Sequence, residues 1–550
     1  MNMKKALIEA FEEAGEELPK KRKPSKESSH ESKPSKEQTE AGSKPSISKT
    51  TKKSTKASDT PRKKLNIAEN RERPQQSKRS ANSKPFSLKV SAEAKPRFGA
   101  DERTFTPDLL HLNKSGTETC IALSDPEKQT EQELFLGLDL GTSSLKAVIG
   151  DRNLQKHYAV PFFDSQGIEQ YLLPTRLYEH HNAWALEGSS HTYRGDLKLQ
   201  LMKESPTKEA KLRVIGYLAL AIQRIRGWFF EEHYSTYKNS NLLWSINIGT
   251  PSTEKSTYAD RITHIAWAAW ILAARIPEEI NSENADLALS RANDLIAGKG
   301  KPTESEDIEV YPVPEISAQV YGYVRSDAFD PNAQNLFLLT DIGAGTVDCA
   351  LFKVRTEKTE PEFLFYVKSV DPLGVINLHK ARLLWWQKVF KASETKYPEL
   401  ESAISDELNS LGKHQRVPGT CSDYFTGVEV HNKDNRSNPD LDFKIAIKEL
   451  IQDNTLLKAH HDGGWHEEAL RNTPFFLTGG GTRMPFYKQI NEQVQHHPRA
   501  AFLRLSPKRL TLPDNIIAPG LPQDDWDRLS VAYGLSFDKV GEIVDVDREQ

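Results

Sequence analysis

The sequence predicts an α/β body built on a duplicated strand–turn–strand unit, with a long polar tail in front of it. Three observations carry this prediction. Two stretches about 200 residues apart, "LFLGLDLGTSSLKAVIG" (134–150) and "TDIGAGTVDCALF" (340–352), share one pattern: apolar strand, aspartate, glycine-containing turn, second apolar strand. A chain of 550 residues exceeds one ordinary domain, yet its hydrophobic content of 37% is low for a fully folded chain of that size. The shortfall is concentrated in residues 18–83, which are Lys, Ser, Pro, Glu and Thr with almost no aliphatic or aromatic side chains.

In chain order, "MKKALIEAFEEAGEEL" (3–18) places Leu7, Ile8, Phe11, Ala14 and Leu18 on one face of a short amphipathic helix. A helix of that length is marginal alone, so its role is expected in contact with a partner protein or with the body. Residues 19–130 are read as a mostly disordered basic tail and linker, because so polar a segment buries too little surface to offset its ordering entropy. Residues 1–100 carry 25 Lys+Arg against 13 Asp+Glu, and the rest carries 49 against 64. The net charge of -3 therefore hides a basic front and an acidic body. A basic tail suits nucleic acid, an anionic membrane or an acidic partner. Without interleaved aromatics or Arg-Gly repeats, a solvated spacer is favoured over nucleic-acid contact. "PKKRKP" (19–24) has the composition of a nuclear-import signal.

The three cysteines, Cys120, Cys349 and Cys421, are far apart and odd in number, which argues against a disulfide framework or zinc site and fits a reducing cytoplasm. The longest apolar run, "IAWAAWILAARI" (265–276), is too short to span a bilayer, so no membrane span is expected.

The body opens near Glu131. Leu134–Leu138 reads as a buried strand, Asp139 closes it, Gly141-Thr142-Ser143-Ser144 make the turn, and 146–149 the returning strand. The second unit repeats this with Asp341, Gly343-Ala344-Gly345-Thr346 and Asp348. Turns of this kind present backbone N–H groups and hydroxyls that bind phosphate, while a strand-end aspartate faces a hydrated cation. Two in tandem imply one nucleotide clamped between two halves.

The pair resembles the phosphate-1 and phosphate-2 loops of the actin, sugar-kinase and heat-shock-chaperone ATPase superfamily. "FFLTGGGTRMPFYKQI" (475–490) resembles its adenosine loop, with Gly479, Gly480, Gly481 and Arg483. Within that superfamily, residues 133–538 are most similar to the nucleotide-binding domain of DnaK-type (70-kDa) heat-shock chaperones. "GDLKLQLM" (195–202), "VYPVPEISAQVYGYV" (310–324), "SVDPLGVINLHKARL" (369–383) and "DRLSVAYGLSF" (527–537) follow in the same order. The chain departs from the pattern at Ala344, Val375 and Gly481. The resemblance implies an actin-like (ribonuclease H-like, duplicated) fold of two lobes around a nucleotide cleft, lobe I at 131–325, lobe II at 326–538 and a C-terminal tail at 539–550.

It also implies roles. Gly141, Thr142, Ser143, Gly343, Ala344, Gly345, Thr346, Gly479, Gly480, Gly481 and Arg483 would bind ATP or ADP, with the Arg483 plane on the adenine. Asp139 and Asp341 would hold the water shell of Mg2+; Lys198, Glu315 and Asp348 would act at the γ-phosphate, Lys198 as a cation and the carboxylates on the lytic water. A surface lysine remains the other reading of Lys198. The resembled chaperones continue into a client-binding domain, whereas this chain stops 16 residues after Gly534. The expectation is therefore an ATP-hydrolysing switch acting on a separate protein, with an actin-like scaffold and a sugar kinase as the competing classes.

Overall fold

Two large sheets of the same design form the centre of the body. The computed structural model describes residues 86–100, 109–110 and 130–546, except 181, 189–192, 252–255, 327–328, 357–360, 412–414, 433–437, 498–499 and 540. The described residues fall in one unit, Lys84–Gln550. The helix read at 3–18 and the tail read at 18–83 lie outside them.

The first run comprises β1 (Phe86–Pro96), β2 (Thr130–Leu140), β3 (Ser144–Asp151), β4 (Lys156–Ala159), α1 (Leu197–Met202), α2 (Lys208–Tyr237), β5 (Ser240–Thr250), α3 (Ser256–Ala273), α4 (Ser282–Ile296), β6 (Glu309–Pro314) and α5 (Glu315–Val324). The second comprises β7 (Leu336–Ile342), β8 (Val347–Arg355), β9 (Glu362–Asp371), α6 (Val375–Ala392), α7 (Pro398–Asn409), β10 (Phe425–Asn432), α8 (Pro439–Lys448), β11 (Arg471–Thr478), α9 (Pro485–Val494), β12 (Arg504–Lys508), β13 (Ile516–Ile517), α10 (Ser530–Leu535) and β14 (Glu542–Asp545).

Sheet one runs β6-β5-β2-β3-β4-β13 and sheet two runs β12-β11-β7-β8-β9-β14. The senses repeat strand for strand. Each central strand, β2 or β7, is antiparallel to the next in sequence, which is antiparallel to the third. On its other side each central strand carries two parallel strands, and the third strand carries a parallel edge strand. The central strands read as continuous apolar runs because both faces are covered: Leu134, Leu136, Leu138, Leu338 and Leu339 have no exposed surface. Helices α2 and α3 supply much of the cover for sheet one, packing Ile215, Leu218, Ile222, Ile262 and Ala266 into its core.

Two helices are exchanged between the halves. Helix α5 follows the last parallel strand of sheet one, yet its Ile316, Val320 and Val324 share a core with Phe337, Phe352 and Phe476 of sheet two. Tyr323 lies edge-on to Phe337 and Phe476, at 5.8 and 5.1 Å between centroids. Conversely, α10 follows sheet two but lies on sheet one. A Cβ at Gly137 of β2 would sit 2.3 Å from Ala532 O, so the sheet needs glycine where the helix backbone touches it. Asn247 Nδ2 of β5 donates to Leu535 O and Phe537 O at 2.7 and 2.6 Å, satisfying carbonyls left open at the helix end. The two helices cross closely: a Cβ at Gly534 would lie 1.8 Å from Ala318 O.

Three boundaries read from the sequence change accordingly. The break at 325/326 follows the chain but not the packing, because α5 serves sheet two while β13 and α10 serve sheet one. Within the stretch read as linker, β1 pairs antiparallel with β10, and Leu88, Val90 and Ala94 pack on the core of Trp386, Phe390 and Phe425. Its alternating apolar residues are masked by the basic composition around them. The segment read as a C-terminal tail contains β14, which pairs with β9 and sets Asp545 against Lys368 at 2.7 Å. Among the described residues no helix is long and apolar enough to cross a membrane, and Cys349 and Cys421 are buried free thiols.

Candidate functional site

The repeated hairpins turn toward each other. A cavity of about 770 Å³ is lined by Asp139, Gly141, Thr142 and Ser143 from the first, by Asp341, Gly343, Ala344, Gly345, Thr346 and Asp348 from the second, and by Gly479, Gly480 and Gly481 from the third turn. Lys198 and Glu315 also line it. Every residue assigned to the site from sequence faces this cavity except Arg483, which is not among its described lining residues.

The first hairpin neutralises itself. Asp139 lies directly across the ladder from Lys146, and Lys146 Nζ donates to Asp139 Oδ2 at 2.8 Å. Gly141 N–H donates to Ser144 O at 3.1 Å, which closes the turn. Thr175 ties the turn from outside: its Oγ1 donates to Gly141 O at 2.8 Å and its N–H to Ser143 O at 3.0 Å.

The second hairpin has the same ladder with a different outcome, because Asp341 lies across from Asp348. Burial and then the Asp348 charge push the Asp341 carboxyl up to about 7. Asp348 is pushed up to about 6, by burial first, despite the hydrogen bond it accepts from Thr346 Oγ1 at 2.9 Å. The Thr346 hydroxyl expected on a phosphate is thus donated to Asp348. The turn is held from behind by α6: the N–H groups of Gly374, Val375 and Ile376 donate to the carbonyls of Gly345, Gly343 and Ala344. Asn377 Nδ2 adds a bond to Gly345 O at 2.6 Å. The helix start fixes the loop carbonyls and leaves the Ala344 and Gly345 N–H groups bonded to no other described residue.

Lys198 sits near the start of α1, is 7% exposed, and donates to Glu315 Oε1 at 2.8 Å. Burial lowers its pKa, but Glu315, Tyr258 and Asp139 outweigh that and leave it raised, so the lysine is a cation. A surface lysine is therefore excluded. Glu315 reaches the cavity from the first residue of α5, its Cγ against Gly249, where a Cβ would lie 3.0 Å away.

The third turn is packed onto the second. Gly479 has φ +90°, and a Cβ there would lie 2.1 Å from Asp341 Oδ1. At 481, where the resembled pattern has serine, a Cβ would meet Ile342 Cγ2 at 2.4 Å, which accounts for glycine. Arg483 does not reach the cavity. Its guanidinium donates to both carboxylate oxygens of Asp527, to Asp525 Oδ1 at 3.2 Å and to Asp524 O at 2.9 Å. Arg528 takes its place, lining the cavity with its guanidinium carbon 3.5 Å from the position of a Cβ on Gly480. Burial, and then the Arg483 charge, lower its pKa.

Sequence reasoning missed Arg528, Lys146 and Gln319. Lys146 was legible by counting the register of a hairpin around Gly141–Ser143. Arg528 had no local signal. Gln319, one turn after Glu315 on α5, is 2% exposed, reaches Asp341 Oδ2 through Nε2 at 3.4 Å, and has no partner for its buried Oε1 among the described residues.

The donor set suits a hard cation: Asp139, Asp341, Asp348, Glu315 and the Gln319 carbonyl offer only oxygen. Among the described residues no three His, Cys, Asp or Glu side chains are grouped to ligate a metal directly. An all-oxygen donor set of this kind fits a hydrated divalent cation such as Mg2+. Compared with known proteins, the chain matches no family model and no curated protein.

Proposed function

We propose that the chain is a Mg2+-dependent ATPase of the actin-like fold, working as a DnaK-like switch whose nucleotide state sets how the halves engage a partner protein. The observation that carries this is the repeat itself: two sheets of identical strand order and sense, crossed by exchanged helices, aim equivalent hairpin turns into one cavity. A triphosphate bridging both turns is attached to both halves, and loss of the γ-phosphate removes part of that attachment. Differential binding of a few kcal/mol is enough to shift a two-state equilibrium between lobe angles.

In this reading the backbone N–H groups of Ala344 and Gly345, with Thr142 and Ser143, bind the phosphates, and the three-glycine turn with Arg528 receives the adenosine. Bound Mg2+ supplies neutralising charge to the phosphates; Asp139, Asp341 and Gln319 would hold its water shell. Lys198, kept cationic by Glu315, offsets charge developing on the γ-phosphate oxygens. Asp348 and Glu315 orient the attacking water through hydrogen bonds. Asp348, whose carboxyl burial pushes up to about 6, accepts its proton.

Calorimetry of the full chain tests this. Mg-ATP and Mg-ADP are expected to bind, EDTA to abolish binding, and Asp341→Ala to weaken it by about 100-fold through loss of the charged contact to the hydrated cation. Absence of heat with either nucleotide overturns the proposal.

A further inference from the structure

We infer that Arg176 is a further phosphate-binding residue and that it makes the cleft prefer a nucleoside triphosphate to a diphosphate; this rests on the nucleotide reading above. Arg176 lines the same cavity as Ser143, Pro174 and Lys198. Its backbone is fixed to the first turn, since Thr175 just before it makes two hydrogen bonds to that turn and Leu173–Pro174 pairs with Ser144 and Leu145. The guanidinium carbon lies 4.7 Å from the centroid of the Tyr193 ring. Stacking sets the plane of the group and leaves its N–H edge to meet an acceptor.

No described residue provides that acceptor. The Nε is buried without a hydrogen-bond partner, and among the described residues no carboxylate pairs with Arg176. Asp139 and Glu315, which line the same cavity, are paired with Lys146 and Lys198, and Glu179 is paired with Arg194 and Arg213. Of the three cations that the first half gives to this cavity, Lys146 and Lys198 are each tied to a carboxylate at 2.8 Å. Arg176 alone is not. A partly buried guanidinium with no acceptor among the described residues is retained against a desolvation cost, and its forked donors match phosphate oxygens. The Asp139 and Asp341 end of the cavity would already serve the inner phosphates through the hydrated cation. The unpaired fork, held beside the first turn by Thr175, is left for the terminal phosphate.

The test compares binding of Mg-ADP and a non-hydrolysable Mg-ATP analogue to the full chain and to Arg176→Ala and Arg176→Lys. Loss of a charge-assisted contact predicts triphosphate affinity roughly 10- to 100-fold lower for Arg176→Ala. Diphosphate affinity should stay within about threefold, which also shows that the variant is folded. Arg176→Lys, keeping the charge but not the fork, should recover part of the loss. Equal weakening of both nucleotides, or of neither, overturns the inference. A parent protein that binds neither nucleotide overturns the reading beneath it as well.

Discussion

The two hairpins of the cleft have one backbone design and opposite electrostatics. In the first, the residue across from the strand-end aspartate is Lys146; in the second it is Asp348. The first hairpin is a closed ion pair, while the second holds two carboxyls raised to about 7 and 6. The lesson is that a duplicated unit need not duplicate its charge. One copy is a closed ion pair, and the other gathers two like-charged carboxyls, a pair that a bound divalent cation would relieve.

The largest effect is expected from making the second hairpin like the first. Asp348→Lys places a cation across from Asp341, where it competes with Mg2+. Nucleotide affinity should fall by more than about 100-fold in calorimetry, while the nucleotide-free protein melts no lower than the parent, because a like-charge pair has become an opposite-charge one. Retained Mg-nucleotide binding would show that the second hairpin is not the cation site.

The converse change opens the first hairpin. Lys146→Met leaves Asp139, 6% exposed, without its counter-charge, and should cost about 3 kcal/mol of stability in denaturant unfolding. A cost under about 0.5 kcal/mol would mean that the pair behaves as a surface ion pair.

The smallest effect is on pH. Asp341 and Asp348 have folded pKa values above the ordinary 3.8, so the folded state holds their protons more tightly than the unfolded state does. That contribution is complete below about pH 4 and is lost as pH rises through about 6 and 7. The nucleotide-free protein should therefore lose roughly 2–5 °C of melting temperature between pH 5 and 8 on this account. Saturating Mg-nucleotide should flatten the slope, because the bound cation favours the ionised carboxylates. An identical slope in Asp341→Asn would assign it to other groups.

Much of the site is legible because it is local. Asp139, Asp341, Asp348 and the three glycine turns are each written in a dozen consecutive residues, and period-two apolar runs around a glycine turn define a hairpin without reference to the rest of the chain. The cross-strand pairs follow by counting from the turn. Arg483 shows where such reading stops. Its position after Gly479–Gly481 suggests a nucleotide contact, but Asp525 and Asp527, over 40 residues on, claim its guanidinium, and Arg528 from that same segment occupies the cavity wall.

The sequence by itself determined the duplicated hairpins, the carboxylates they carry and the polar front of the chain, because turn chemistry, strand periodicity and composition act over short separations. Tertiary structure alone decided that α5 and α10 are exchanged between the sheets, that β1 pairs with β10, and that Arg528 rather than Arg483 faces the cavity. Those outcomes depend on which surfaces meet across hundreds of residues. Backbone contacts such as Gly137 against Ala532 and Gly534 against Ala318 fix them, and no local pattern announces a partner that distant.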